Sequence, residues 1–566
     1  MQLVAYGAQD VYLSGNPQIT FFKVVYRRHT NFAVEPIVQT WNGSVDFGRQ
    51  ITCTINRNGD LITNMYISII LSQIAGSATP ISWGYVKKLG HVLINWCKIE
   101  IGGSQIDQHY GDWLNIWYEL THKAGQERGY AQMIGDVPAL TNVDNNGKPA
   151  YQMYIPLQFW FNRNNGLALP LIALQYHDVR ITVMFRAINE CINYQGTTAP
   201  ILNNLMKDSY LVIDYIYLDA EERKRFAQAS HEYLIEQLQH TGSETINGPS
   251  NNVRLNFNHP CKYLVWAPQL EMYNTPNQWI SYAFDNNWQN ALDTFAKILW
   301  LATQDNVVFN LATGCRIDNP TSTAFTIGDL TDGKEASSLP TNLILLLSKI
   351  EVKAVITSPV GSTNGFIIQA SPAITTLPGL LSTVLSNMIV IRNNLTAAEI
   401  SISLKTLLAL PFFISTATNS VNTNAILNAA AITVTNWTNY GNNIDGSDNP
   451  VTTSKLQLNG HDRFQARDGY YFNYVQPYQH FTNTPADGIN VYSFALKPED
   501  HQPSGSCNFS RIDNATLNVS YGTNNQNLTT WFTIYGGHSS SLLNIYTMNY
   551  NVLRVMSGMA GTAYSN

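Results

Sequence analysis

Apolar and polar positions alternate with a period of two over much of the first two hundred residues. Ile51-Thr-Cys-Thr-Ile-Asn56 is the clearest case and predicts a strand with one buried face. Arg57-Asn-Gly-Asp60 follows as a turn, with Asn-Gly offering the positive φ angles of a tight reversal, and Met65–Leu71 reads as the return strand. Val92–Ile101 (closed by Gly102-Gly103), Tyr154–Phe161, Val179–Phe185 and Tyr210–Leu218 extend the set. Asp112–Lys123 departs from it: Leu114, Trp117 and Leu120 share one face of a helix. Many short strands with brief helical excursions predict an all-β sandwich or jelly roll.

The pattern changes at Leu218. Asp219 and Glu222 form a capping box, and Phe226, Ala229, Tyr233 and Leu234 follow as an apolar stripe, which predicts a linker helix over 218–241 ended by Thr241-Gly-Ser-Glu. Beyond it the alternation returns. Val253–Asn258 repeats Ile51–Asn56, His259-Pro-Cys-Lys262 stands in place of the first turn, and Tyr263–Trp266 begins a second return strand. Ala515–Tyr521 corresponds to Val179–Phe185, and Leu543–Val555 takes the part of Tyr210–Leu218. The chain therefore reads as a duplicated β-domain, 1–217 and 242–566, about the linker.

The second copy is lengthened by an insertion at about 286–455. Between Ala354 and Ile444 its only charged residues are Arg392, Glu399 and Lys405. Thr396-Ala-Ala-Glu399 is another capping box and predicts a helix through Leu408, ended by Pro411. A structureless loop of this length is improbable in a compact domain, so the insertion is expected to carry its own small core at one end of the second barrel.

Composition narrows the function. Of 566 residues 45% are hydrophobic and only 13% charged, against roughly 25% charged in an average soluble domain. Such a weakly charged, aromatic-rich surface suits burial between subunits. The net charge is −6, and the densest basic cluster, Arg223-Lys224-Arg225, is preceded by Glu221-Glu222. With no basic arm to displace counterions, direct nucleic-acid binding is not expected. The six cysteines are scattered singly without zinc-like spacing, as expected of reduced thiols in an intracellular protein. Met1–Asp10 lacks the basic start of a signal peptide, and no apolar run approaches the ~18 residues of a membrane span.

One segment invites a catalytic reading. Glu499 to Cys507, E-D-H-Q-P-S-G-S-C, packs an acid, a histidine, two serines and a cysteine together. The Gly-Ser-Cys triplet resembles part of the papain-like protease signature, but Ser504 stands at its first Cys position and Asn508 at its aromatic. Ser506 lacks the flanking glycines of a G-x-S-x-G elbow. Pro503 and Gly505 make a turn, and Leu517, Val519 and Tyr521 alternate with Thr516, Asn518 and Ser520, so the segment feeds a strand. The twelve histidines form no H-x-H or H-E-x-x-H pair, and no Walker or dinucleotide glycine motif is present. No catalytic, cofactor-binding or metal residue is assigned, and an enzyme is not expected. Among the N-x-S/T sequons, Asn394 and Asn436 fall in the insertion and are the candidate glycan acceptors.

Leu3 to Phe32 (L-V-A-Y-G-A-Q-D-V-Y-L-S-G-N-P-Q-I-T-F-F-K-V-V-Y-R-R-H-T-N-F) resembles the start of major capsid proteins of nucleocytoplasmic large DNA viruses. So do R-N-G-D-L-I at Arg57–Ile62, the linker at Glu221–Gln239, R-D-G-Y-Y-F-N-Y at Arg467–Tyr474, and Phe494–Ala515, which contains the Gly-Ser-Cys corner. The resemblance implies an all-β double jelly roll: two eight-stranded antiparallel sandwiches with short helices, side by side. It implies a homotrimer whose six barrels form a pseudo-hexagonal capsomer, tiling the icosahedral outer shell of a virion assembled in the host cytoplasm. Neighbouring capsomers and minor capsid proteins beneath the shell would be the partners, with no cofactor and no membrane insertion. On that reading Leu3, Val4, Tyr6, Val11 and Tyr12 form a candidate assembly arm and the insertion an outward tower. The alternative is a jelly-roll carbohydrate- or receptor-binding surface or spike protein.

Overall fold

The computed structural model describes residues 7–283 and 449–564, apart from 76–82, 142–146, 195–199, 201, 203–204, 247, 272–276, 278, 524–525 and 528–540; between 284 and 448 it describes seven strands. Eight strands build the first barrel: β1 Phe32–Thr40, β2 Gln50–Thr54, β3 Leu61–Leu71, β4 Ile94–Ile101, β5 Ser104–Tyr110, β6 Tyr151–Pro156, β7 Val179–Phe185 and β8 Met206–Leu218. They form two antiparallel sheets of order β1-β8-β3-β6 and β2-β7-β4-β5, so early strands pair with late ones as a jelly roll requires. The second barrel has β9 His231–Thr245, β10 Ser250–Arg254, β11 Pro260–Gln269, β12 Val451–Leu458, β13 His461–Asp462, β14 Asn490–Ser493, β15 Ala515–Thr523 and β16 Leu542–Met556. Its sheets run β9-β16-β11-β14 and β10-β15-β12-β13, the first barrel's order with eight added to every label. A last strand, β17 Met559–Thr562, pairs with β16.

The duplication holds in strand order but not in the expected register. Cys53 lies opposite Ile181 in the first barrel, yet in the second Leu517 lies opposite Val253 rather than Leu255, two residues from where the matched alternations place it. The expected hairpin is also absent. β2 pairs with β7, whereas β3 pairs with β8 and β6 in the other sheet, so Arg57–Asp60 crosses from sheet to sheet. Neither Asn58 nor Gly59 has a positive φ. Gly59 is needed for close approach instead, because a Cβ there would stand 3.0 Å from that of Tyr215. Val92–Ile101 divides between a helical turn, Leu89–Leu93, and β4, and Tyr154–Phe161 runs as strand only to Pro156.

The linker is half helix, half strand. α1, Ala220–Gln228, starts where expected, with the Asp219 side chain accepting the Glu222 amide at 3.0 Å. It is over by Ala229, and Tyr233, Leu234 and Leu238 lie in β9, paired along its length with β16. The local pattern is compatible with either state, and the long partner strand decides it. Asp60 anchors α1 to the first barrel by accepting from Arg223 at 2.8 Å and from the Leu218 amide at 2.9 Å.

The insertion interrupts the β11–β12 connection, and its expected end is too late: Val451–Lys455 already belongs to β12. Val308–Asn310, Cys315–Asp318, Ala324–Ile327 and Ile367–Gln369 form one small sheet, and Ile350–Ala354, Met388–Asn393 and Glu399–Ser403 another. The helix expected from Thr396 is therefore corrected. Glu399-Ile-Ser-Ile-Ser403 is a strand, because its period-two alternation outweighs the capping box before it. Asn394 and Asn436 lie outside the described residues.

Candidate functional site

Each sheet of a jelly roll buries one face in its own sandwich, so the other face must meet water or a partner. In the second barrel Leu264, Trp266 and Ile545 point inward, while Tyr263, Val265, Tyr546 and Met548 point out of the sheet β9-β16-β11-β14. That outer face is covered by the first barrel. α2, Gly111–Thr121, follows β5 and lays Trp113 over it, with ring centroids 5.5 Å from Tyr546 and 6.4 Å from Tyr263. His240 stacks on Tyr546 at 4.6 Å and meets Tyr110 edge-on at 5.2 Å. Each of these buried aromatic rings contributes roughly 2–3 kcal/mol relative to exposure. One core cluster therefore runs from the interior of the first barrel into the seam.

Buried polar groups fix the register of that seam. The Leu238 amide of β9 donates to Asp107 of β5 at 3.0 Å, and the Gln237 side chain donates to the Ile106 carbonyl. Asp107 also lies 3.0 Å from His109, both fully buried. Glu236 of β9 is the central charge: it meets Lys262 of β11 at 2.7 Å and Arg163 of the first barrel at 3.1 Å. Lys262 is completely buried and also donates to the Asp500 carbonyl at 3.1 Å. Burial pushes its amine below the usual lysine range, and Glu236 opposes that shift. Beneath α2, Lys88 makes a second buried pair with Glu119 at 2.5 Å and donates to Asn115 at 2.8 Å. The contacts of Gln237 and Leu238 with β5 and of Glu236 with Arg163 cross between the barrels and hold them in one orientation.

Among the described residues the equivalent outer face of the first barrel, on β1-β8-β3-β6, has no such cover. Val38, Val212, Tyr66 and Pro156 make one row across it and Thr40, Tyr210, Ser68 and Tyr154 the next. Val38 is 54% exposed, Val34 52% and Tyr154 38%. The element equivalent to α2 is the helical run Tyr471–Val475 and Gln476–His480, which follows β13. It presents Tyr470, Tyr474 and Tyr478 at four-residue spacing, with Tyr470 and Tyr478 exposed. Sequence reasoning missed both surfaces. The signal for the helix was the tyrosine spacing, but no strand pattern tells which sheet face a partner will cover.

The assembly arm is only partly described: Leu3, Val4 and Tyr6 lie outside the described residues. Val11 and Tyr12 sit on a seven-residue helix, Ala8–Ser14, and are exposed, as are Ile19, Phe21, Phe22, Val24 and Val25 beyond it. Every residue from Gly7 to Pro36 is exposed.

The Gly-Ser-Cys corner is structural. Gly505 has φ +135° and passes so close to Phe494 that a Cβ would stand 2.7 Å from its carbonyl oxygen. Ser504 accepts from the Lys497 amide at 2.9 Å, both Glu499 oxygens accept from Thr482, and Phe509 packs against Phe257 and Phe494 in the core. No hydrogen bond among the described residues joins His501 to Cys507. Burial raises the Cys507 thiol, the reverse of what a nucleophile needs. Among the described residues no group of acids, histidines and cysteines is placed to hold a metal ion.

Two tandem jelly rolls locked side by side by a buried seam define a double jelly-roll protein. Its family follows from comparison. Residues 20–219 match the family model for the major capsid protein N-terminus, and residues 222–318 and 384–561 match that for the large eukaryotic DNA virus major capsid protein. The chain is 40% identical to capsid protein 1 of Acanthamoeba polyphaga mimivirus and 41% identical to the major capsid protein of Phaeocystis pouchetii virus, in each case over 100% of this chain and 99% of the relative. The crystal structure of PBCV-1 VP54, fitted into a reconstruction of the virophage Sputnik, superposes with a TM-score of 0.60 at 32% identity, covering 97% of this chain and 100% of that one. The Faustovirus major capsid protein shares the fold with a TM-score of 0.57 at 12% identity, covering 97% of this chain and 94% of that one. The chain belongs to the major capsid protein family of large eukaryotic DNA viruses.

Proposed function

We propose that the protein is a non-enzymatic shell protein whose homotrimers are the pseudo-hexagonal capsomers of an icosahedral virion. One observation carries this: among the described residues the same sheet face is covered by the other barrel in one half of the chain and left open in the other half. Repeating between chains the contact that α2 makes within a chain would bring the Tyr470-Tyr474-Tyr478 stripe of one copy onto the Val38–Tyr154 face of the next. Such head-to-tail contacts form a closed ring when the rotation closes, and three chains would supply six barrels. The low charge of the chain favours this burial, since few ions would lose water.

The exposed arm, with Val11 and Tyr12, would reach a neighbouring capsomer or a minor capsid protein below the shell, on particles assembled in the host cytoplasm. The insertion, at one end of the second barrel, would form the outward tower. Light scattering of the purified protein tests the trimer. Three times the 63.3 kDa chain mass is expected, with Val38→Asp and Tyr478→Asp each giving monomers. Monomeric wild type, or trimers that survive both substitutions, would refute the interface.

A further inference from the structure

The Gly-Ser-Cys corner has chemistry that the shell-building role does not use. Cys507 and Asn508 form a short strand antiparallel to the start of β11, with Asn508 opposite Pro260 and Cys507 opposite Cys261. Directly opposed residues of an antiparallel pair point to the same face, with Cα atoms roughly 4.5–5.5 Å apart. A disulfide spans Cα separations of roughly 4.4–6.8 Å. Both side chains belong to the same core: Cys261 is fully buried within it and Cys507 is packed half-buried at its edge. Both are free thiols, and no other two cysteines are register partners among the described residues.

We propose that Cys261 and Cys507 are a covalent modification site, converted to a cross-strand disulfide by an oxidant of the disulfide class. The accessible Cys507 thiolate attacks one sulfur of the oxidant, forming a mixed disulfide and releasing one thiol. The Cys261 thiolate then attacks the Cys507 sulfur and expels the second thiol. Two electrons pass to the oxidant, whose two sulfurs leave as thiols carrying the two protons. Burial raises both thiols, Cys261 to about 12, so the thiolate fraction is small and the pair stays reduced until it meets a sustained oxidising environment. The link would close a loop containing the whole insertion, so a backbone cut there would leave the second barrel covalently joined.

The test uses the assembled wild-type protein incubated with oxidised glutathione at pH 8, then denatured in an alkylating reagent and mapped by mass spectrometry without reductant. The expected product is a Cys261 peptide joined to a Cys507 peptide, about 2 Da lighter than their sum, with four of the six thiols left free. Cys507→Ser, at the half-exposed position, abolishes the linked peptide, and Cys53→Ser leaves it in place. Six free thiols after oxidation, or either cysteine found joined only to glutathione or to another cysteine, overturns the proposal.

Discussion

Replacing Glu236 with Gln tests whether buried charge holds the barrels together. The substitution keeps the shape and removes the anion that Lys262 meets at 2.7 Å and Arg163 at 3.1 Å. Breaking a buried pair from one side costs roughly 3–5 kcal/mol, because the other charge stays buried and uncompensated. Lys262 sets a ceiling on its own share. Releasing its proton at pH 7, from an unfolded value of 10.5, costs about 4.8 kcal/mol at 1.36 kcal/mol per unit, and beyond that the amine simply becomes neutral. We therefore expect the variant to lose about 3–5 kcal/mol in equilibrium urea unfolding, followed by tryptophan fluorescence from Trp113 and Trp117 at the seam. The pH dependence has a definite sign. The folded value of Lys262 lies below the unfolded one, so the unfolded chain binds more protons between them and stability rises with pH there. At pH 9 the ceiling falls to about 2 kcal/mol, and the deficit should shrink accordingly. Adding Lys262→Met to Glu236→Gln should recover most of the loss. A deficit under about 1 kcal/mol at pH 7, or one unchanged at pH 9, would show that the seam does not depend on this pair.

His91 is fully buried, 2.7 Å from the Tyr130 hydroxyl, and burial followed by the Lys88 charge holds its pKa down to about 3. Its contribution is present above pH 6.5 and lost as pH falls toward 3, so thermal melts from pH 7 to 4 should show an acid decline of about 3 kcal/mol that His91→Gln flattens. Gly488 has φ +96°, and a Cβ there would stand 2.1 Å from the Tyr282 carbonyl oxygen, so Gly488→Ala should cost upward of roughly 1–3 kcal/mol, read as a fall in melting temperature. Deleting residues 1–12 should leave the trimer mass unchanged by light scattering while electron microscopy shows impaired shell assembly; normal particles would exclude the arm from that role.

The strands were legible wherever one face is buried and the other wet. Ile51–Thr54, Val179–Phe185 and Ala515–Tyr521 are strands, as their alternation required, whereas of Val253–Asn258 only Val253 and Arg254 lie in β10. Reading failed where both faces are buried. β9 lies between its own sandwich and the first barrel, so Leu234, Ile235, Glu236 and Leu238 carry no clean period of two and passed for a helix. The capping box at Thr396 misled for a different reason: a start signal fixes where a helix can begin, and the Ile-Ser alternation after it favours a strand.

From the sequence alone came the all-β class, the duplication, the place where the second copy is interrupted and the structural nature of the Gly-Ser-Cys corner. Each is written in local period or turn chemistry, which a single segment carries by itself. Pairing and coverage came only with the tertiary structure: Arg57–Asp60 crosses between sheets, Trp113 seals one sheet face while Val38 and Tyr154 leave its twin open, and Cys507 stands opposite Cys261. These depend on which distant segments meet. Strand alternation specifies that a face must be buried, and the partner that buries it is chosen by contacts far apart in the chain.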